Sequence, residues 1–165
     1  MDLGNLKVVK NLIEEELELY SDLNGLFEEK RKILVSNSVD ALLEVDEKIL
    51  NVVGAIQSSV NHRQLVVSKF GFKVENLTQM INFAKEYDNE LAQEFKLTQE
   101  KINYLISEIA HKERIIKELL RHGMNMVNKT LNMISNATSM AGDYNSYGKS
   151  TNGEIDRISS VVEEV

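Results

Sequence analysis

Proline is missing from this 165-residue chain, and so are cysteine and tryptophan. Proline breaks helix interiors by removing a donor and clashing with the preceding turn, so its absence favours long unbroken helices. Without cysteine there are no disulfides and no thiolate metal sites, which suits a reducing compartment. Aromatics are sparse at 6%. No window of 18 uncharged apolar residues is present, so no span of a membrane is expected. Basic charge is also in short supply. The net charge is −7, with no basic half hidden in the total, and this argues against nucleic acid, whose phosphates need a basic face. The first residues, Met1-Asp2-Leu3-Gly4-Asn5, carry an acid and no apolar run of signal-peptide length. A soluble cytoplasmic protein without cofactors is expected.

What is present is helical periodicity. From Leu91 to Met140, apolar or small residues recur at spacings of three and four: Leu91, Phe95, Thr98, Ile102, Leu105, Ile109, then Ile116, Leu119, Gly123, Met126, Thr130, Met133, Ala137 and Met140. These fall on one slowly drifting stripe of a helix. At 1.5 Å per residue the segment runs roughly 75 Å, against about 45–50 Å for each upstream helix. The far end of the long helix is therefore expected to lack partners from its own chain.

The first helix is expected from about Asn5 to Val35. Leu12, Leu19, Leu26 and Ile33 form one column beside Ile13, Tyr20, Phe27 and Leu34. Val9 and Leu23 widen the face, while Glu16 and Lys30 interrupt that third column. A face this broad suits a bundle helix touching two neighbours. Its acidic first half and the basic Lys30-Arg31-Lys32 are ordered to favour the helix macrodipole. After Ser36-Asn37-Ser38, where Ser38 can cap, a second helix runs from about Val39 to Lys69. The short break makes the two antiparallel. Leu42, Ile49, Ile56 and Phe70 line it, with Val53, Val60 and Val67 alongside. Gly54 sits mid-helix at a cost of about 1 kcal/mol, a position that can let a neighbour approach.

Gly71 suits a left-handed helix end, and Asn76-Leu77-Thr78-Gln79 reads as a capping-box start. The helix from Leu77 to about Lys85 either stands alone or fuses with the long one; Asp88 or Asn89 could cap a fresh start. The resulting fold class is all-α: an antiparallel bundle of three to four helices with a long, partly overhanging last helix. Residues 1–141 form the bundle, and the turn-rich, aliphatic-poor residues 142–165 a flexible tail. Within that tail, Ile155, Ile158, Val161 and Val162 have helical spacing but too short a run to be stable alone.

Chemical motifs are few. Glu108-Ile109-Ala110-His111 matches the Glu-x-x-His of di-metal bundles. Those sites need a second copy, and neither His62 nor His122 has a glutamate three residues before it, so the motif reads as a solvated face. Tyr147-Gly148-Lys149-Ser150 lacks the glycine a phosphate loop requires at position 143, which is aspartate. Asn128-Lys129-Thr130 and Asn136-Ala137-Thr138 are glycosylation sequons by spelling only. No nucleophile has a base and an orienting group, so no enzyme activity is expected.

The methionines carry more weight. Met124, Met126, Met133 and Met140 concentrate where the long helix outruns its companions. Thioether side chains adapt to differently shaped partners. A methionine stripe is otherwise plain core, covered by a second subunit. The length mismatch favours a partner, because an uncovered stripe needs a cover. The expected partner-binding residues are Leu119, Leu120, Met124, Met126, Val127, Leu131, Met133, Ile134 and Met140.

The run Leu12-Ile13-Glu14-Glu15-Glu16-Leu17-Glu18-Leu19-Tyr20, then Glu28-Glu29-Lys30-Arg31-Lys32-Ile33-Leu34-Val35, resembles the first helix of FlgN-type flagellar export chaperones. Asn37 to Ile49 is similar to their turn and second-helix start. Arg63-Gln64-Leu65-Val66-Val67, leading to Gly71 and Leu77-Thr78, resembles their arginine, apolar step, glycine and short helix. The glycine after Tyr147 resembles a tyrosine–glycine element of their tails. At Arg121-His122-Gly123-Met124-Asn125, methionines and a glycine replace the family's asparagine- and leucine-rich helix. The resemblance implies a cytoplasmic, non-catalytic carrier. It would bind the C-terminal helices of the hook–filament junction proteins, keep them from assembling early, and deliver them to the export gate. It also implies gate docking by a tail aromatic, for which Tyr144 and Tyr147 are the candidates. The rival readings are a structural coiled-coil homo-oligomer and a sibling export chaperone serving the filament cap or flagellin. Monomer and homodimer both remain open.

Overall fold

The structure is a computed structural model that describes residues 3–36, 38–72, 74 and 76–142. Of the expected tail, Gly142 belongs to the last helix, and residues 143–165, with the helical spacing at Ile155–Val162 and the glycine–lysine step, lie outside the described residues. Four helices follow in order: α1 (Leu3–Ser36), α2 (Val39–Lys69), α3 (Leu77–Lys85) and α4 (Asn89–Gly142). The all-α bundle is as the periodicity predicts. The chain divides into two compact units, Met1–Leu119 and Leu120–Val165.

Local chemistry sets the helix ends. Gly71 has φ +75°, and the Gly71 N–H donates to the Ser68 carbonyl while the Phe72 N–H donates to that of Val67. This is the Schellman arrangement, completed by Phe72 and Val67 burying together. Asn76 Oδ1 accepts from the Gln79 N–H at 2.9 Å and starts α3. The α3–α4 question resolves in favour of two helices. Asp88 Oδ1 accepts from the backbone N–H of Glu90 at 2.9 Å and of Leu91 at 3.1 Å, starting α4 afresh. Ser38 holds the N-cap position of α2 in extended backbone, but its side chain makes no capping bond. That expectation is corrected.

The core of the first unit gathers where the start of α1, the end of α2, α3 and the start of α4 converge. Val9, Ile13, Val67, Met80, Ala84, Leu91 and Phe95 are buried there. Phe72 meets Phe70 and Phe83 edge-on at 6.0 and 5.1 Å, geometry that aromatic quadrupoles favour.

The third column of α1 is the most buried part of that helix. Val9, Glu16 and Leu23 of that column are buried, beside Leu6, Leu12 and Ile13 of the two neighbouring columns. Glu16 and Lys30 do not interrupt it, because α2 answers each with an opposite charge. Arg63 Nε donates to Glu16 Oε1 at 2.6 Å, and Lys30 Nζ meets Asp46 Oδ1 at 2.6 Å. The order of these pairs along the two helices makes α1 and α2 antiparallel. Lys10 Nζ reaches Glu94 at 3.0 Å, and Lys112 Nζ donates to Asn24 Oδ1 at 2.8 Å. Those pairs lay α4 beside α1 in the same direction. The macrodipole reading of α1 is also corrected: no acid stands in its first turn and no base in its last, and the dipole acts only there. The charges serve as cross-helix and i,i+3 or i,i+4 partners instead, as in Arg31–Glu28 and Lys10–Glu14.

Candidate interaction face on the last helix

The stripe of α4 begins as core. Leu91, Phe95, Thr98, Ile102 and Ile116 are buried, and Leu105 and Ile109 are half-buried. Thr98 satisfies its hydroxyl by donating to the Glu94 carbonyl at 3.1 Å. α1 runs beside this part of α4, with Lys10 at Glu94 and Asn24 at Lys112.

From Leu119 to Asn136 every residue is exposed. The apolar side chains there run from 38% exposed at Leu119 to 71% at Met133. Leu120, Met124, Val127, Leu131 and Ile134 alternate spacings of four and three, the a/d-like repeat that faces a partner helix. Leu119, Met126 and Met133 repeat every seven residues on an adjoining line. Gly123 and Thr130 lie between the two lines, and the Thr130 hydroxyl is spent on the Met126 carbonyl at 3.0 Å. Asn125, Asn128 and Asn132 occupy the other side. Met140 belongs to α4, but its side chain lies outside the described residues. Tyr144 and Tyr147 also lie outside them.

The polar composition of this segment escaped the sequence reading. Between Leu119 and Gly142 the charged side chains are Arg121 and Lys129, with no aspartate or glutamate, in a chain of net charge −7. A charge count over that segment alone finds it.

Other chemistry is thin. His111 Nδ1 lies 3.1 Å from Arg114 Nη2, and among the described residues no three His, Cys, Asp or Glu side chains could hold a metal ion. Among them too, no helix is long and apolar enough to cross a membrane. A cavity of about 270 Å³ in the first unit is walled by Ile13, Val67, Leu77 and Met80, with Arg63 at its edge. Its one guanidinium already holds Glu16.

Compared with known proteins, the chain matches the family model described as FlgN protein over residues 1–152. No curated protein and no solved structure matches it.

Proposed function

The chain belongs to the FlgN family of flagellar export chaperones, and on that premise we propose that it carries hook–filament junction proteins. In this reading their C-terminal helical segments lie against Leu119, Leu120, Met124, Met126, Val127, Leu131, Met133, Ile134 and Met140. Bound there, they are kept from assembling early in the cytoplasm and are delivered to the membrane export gate. Tyr144 and Tyr147 are the residues assigned to the gate.

One observation carries the reading. A stripe that is core as far as Ile116 continues from Leu119 to Ile134 with its apolar side chains in solvent. Its alternating three–four spacing supports a helical partner laid along it. Arg121 and Lys129, with no acid between Leu119 and Gly142, support a partner helix that carries carboxylates. The magnitudes suit a carrier. Burying seven of the nine (Leu119, Met126, Val127, Leu131, Met133, Ile134 and Met140) at about 1.5–3 kcal/mol each gives roughly 10–20 kcal/mol gross. Association and ordering take back about 4–15 kcal/mol, leaving reversible affinity on the order of micromolar to nanomolar.

The test is fluorescence anisotropy with labelled C-terminal helices of the junction proteins. Met126→Glu with Met133→Glu in the full chain should weaken binding at least about 100-fold, since two buried charges without partners cost several kcal/mol. Circular dichroism should be unchanged. Undiminished binding would place the carrier surface elsewhere; selective binding of filament-cap or flagellin peptides would make this the sibling chaperone.

A further inference from the structure

The chain holds six methionines and no cysteine or tryptophan, so its thioethers are the side chains most open to two-electron oxidation. Their environments differ. Met80 is 2% exposed within the core of the first unit, while Met124, Met126 and Met133 are 68, 70 and 71% exposed on α4. Susceptibility follows exposure, so one chain carries both a target and its internal control.

The three sulfurs stand in the run Leu119–Asn136, where every residue is exposed. No aromatic residue lies between Tyr104 and Tyr144, so this stretch of helix offers no ring for a thioether to pack against. Met124 belongs to the Leu120–Ile134 line. Met126 and Met133 share the line beside it, about 10 Å apart along the axis. A change in these three side chains therefore alters the polarity of both lines. It leaves the fold alone, since none of them belongs to the buried cluster of the first unit.

The chemistry is simple. The sulfur lone pair attacks one oxygen of hydrogen peroxide, the S–O bond forms and the O–O bond breaks. The departing hydroxide takes the proton from the transferred oxygen and leaves as water, so sulfur loses two electrons and the peroxide gains them. A flexible apolar side chain becomes a polar one with an accepting oxygen. Covered by an apolar partner, that oxygen has no donor, and burying an unpaired polar group is unfavourable. Sulfoxide reductases reverse the step: two thiols supply the electrons and become a disulfide, and the oxygen leaves as water.

We propose that Met124, Met126 and Met133 are a reversible oxidation site, at which peroxides turn the α4 face from apolar to polar and make it refuse its partner. The modification stands on exposure and chemistry; the refusal of a partner rests on the carrier reading above. A bound helix covers the thioethers, so the chain without a client is the form that oxidises.

Peroxide treatment of the full chain, followed by peptide mass mapping, should convert Met124, Met126 and Met133 to sulfoxides at least about tenfold faster than Met80. Retention on a phenyl matrix should fall in step and recover with thiol and sulfoxide reductases of both stereospecificities, the helical spectrum and urea midpoint holding throughout. Met124→Leu with Met126→Leu and Met133→Leu should keep its retention in peroxide. Oxidation should weaken binding of junction-protein helices at least about tenfold, reductase should restore it, and the leucine variant should bind with or without peroxide. Helix bound in advance should slow sulfoxide formation at the three positions. Met80 oxidising as fast as the three, or a leucine variant whose retention falls like the parent's, would overturn the site. Helices held equally by oxidised and reduced chain would overturn the switch and leave the carrier reading standing. Helices that ignore the reduced parent would sink the carrier reading and the switch with it, while the mass map and phenyl retention still decide the oxidation site.

Discussion

Glu16 and Arg63 show how a single pair sets register in a fold otherwise held by non-directional contacts. Their side chains are 5% and 17% exposed, so removing one partner strands the other's charge away from water. Arg63→Ala should cost about 3–5 kcal/mol, read as a lower urea midpoint. Glu16→Leu combined with Arg63→Leu should recover most of that loss, because two apolar groups of similar volume leave no orphan charge. A double variant no more stable than Arg63→Ala would assign the pair a stabilising rather than a register role. Alkaline pH probes the same neighbourhood. Burial, then the nearby Glu16 charge, raises the Tyr20 phenol above its ordinary 10.0. Hydrogen bonds to Glu94 and then Glu14 raise Lys10 above 10.5. Both groups bind their proton more tightly in the fold than in the unfolded chain. Their stabilisation is therefore complete below about pH 10 and lost as pH climbs through the raised values. Tyr20→Phe with Lys10→Met should flatten the fall in urea midpoint between about pH 9 and 12.

At the scale of elements, helix bounds were legible in the sequence because nothing contradicts them. Without proline, the 3.6-residue period and a few Gly, Asn and Asp punctuation marks place α1, α2 and α4 to within a few residues. The bland stretch Glu86-Tyr87-Asp88-Asn89 did not declare itself, since either residue could cap and neither breaks a helix outright. The structure gives the cap to Asp88. Asp88→Ala should cost about 1 kcal/mol and speed amide exchange at Glu90 and Leu91, the two donors it satisfies. An unchanged exchange rate there would mean that the turn, not the carboxylate, separates α3 from α4. Which α1 face is deepest was harder to read. Glu16 and Lys30 look like interruptions until Arg63 and Asp46, on another helix, are seen to answer them. One-dimensional periodicity cannot register a partner some fifty positions away. Gly54 was misread for a related reason: its open space points out of the chain rather than towards a neighbour within it.

For the whole molecule, the exposed face was the most legible part of the candidate site, because it follows from arithmetic on helix lengths. α1 and α2 span 34 and 31 residues against 54 for α4. Its charge was missed because a net value of −7 conceals a local segment bearing only Arg121 and Lys129. The two properties separate experimentally. A chain ending at Lys117 keeps the cluster from Leu6 to Ile102 and the cross-helix pairs Lys10–Glu94, Lys30–Asp46, Arg63–Glu16 and Lys112–Glu28, so it should unfold cooperatively near the parent's urea midpoint while losing junction-protein helices entirely. In the parent, an apolar face on a segment whose only charged side chains are two cations should give a split response to salt. Raising ionic strength from about 0.05 to 0.5 M shortens the screening length from roughly 14 to 4 Å. The association rate for an acid-flanked helix should fall about tenfold or less, with dissociation little changed, because steering depends on charge and residence on buried area. Arg121→Gln with Lys129→Gln should abolish that dependence and leave the dissociation rate intact. If dissociation accelerated instead, the cations would be holding the partner rather than guiding it, and the methionine face would be secondary to an electrostatic clamp.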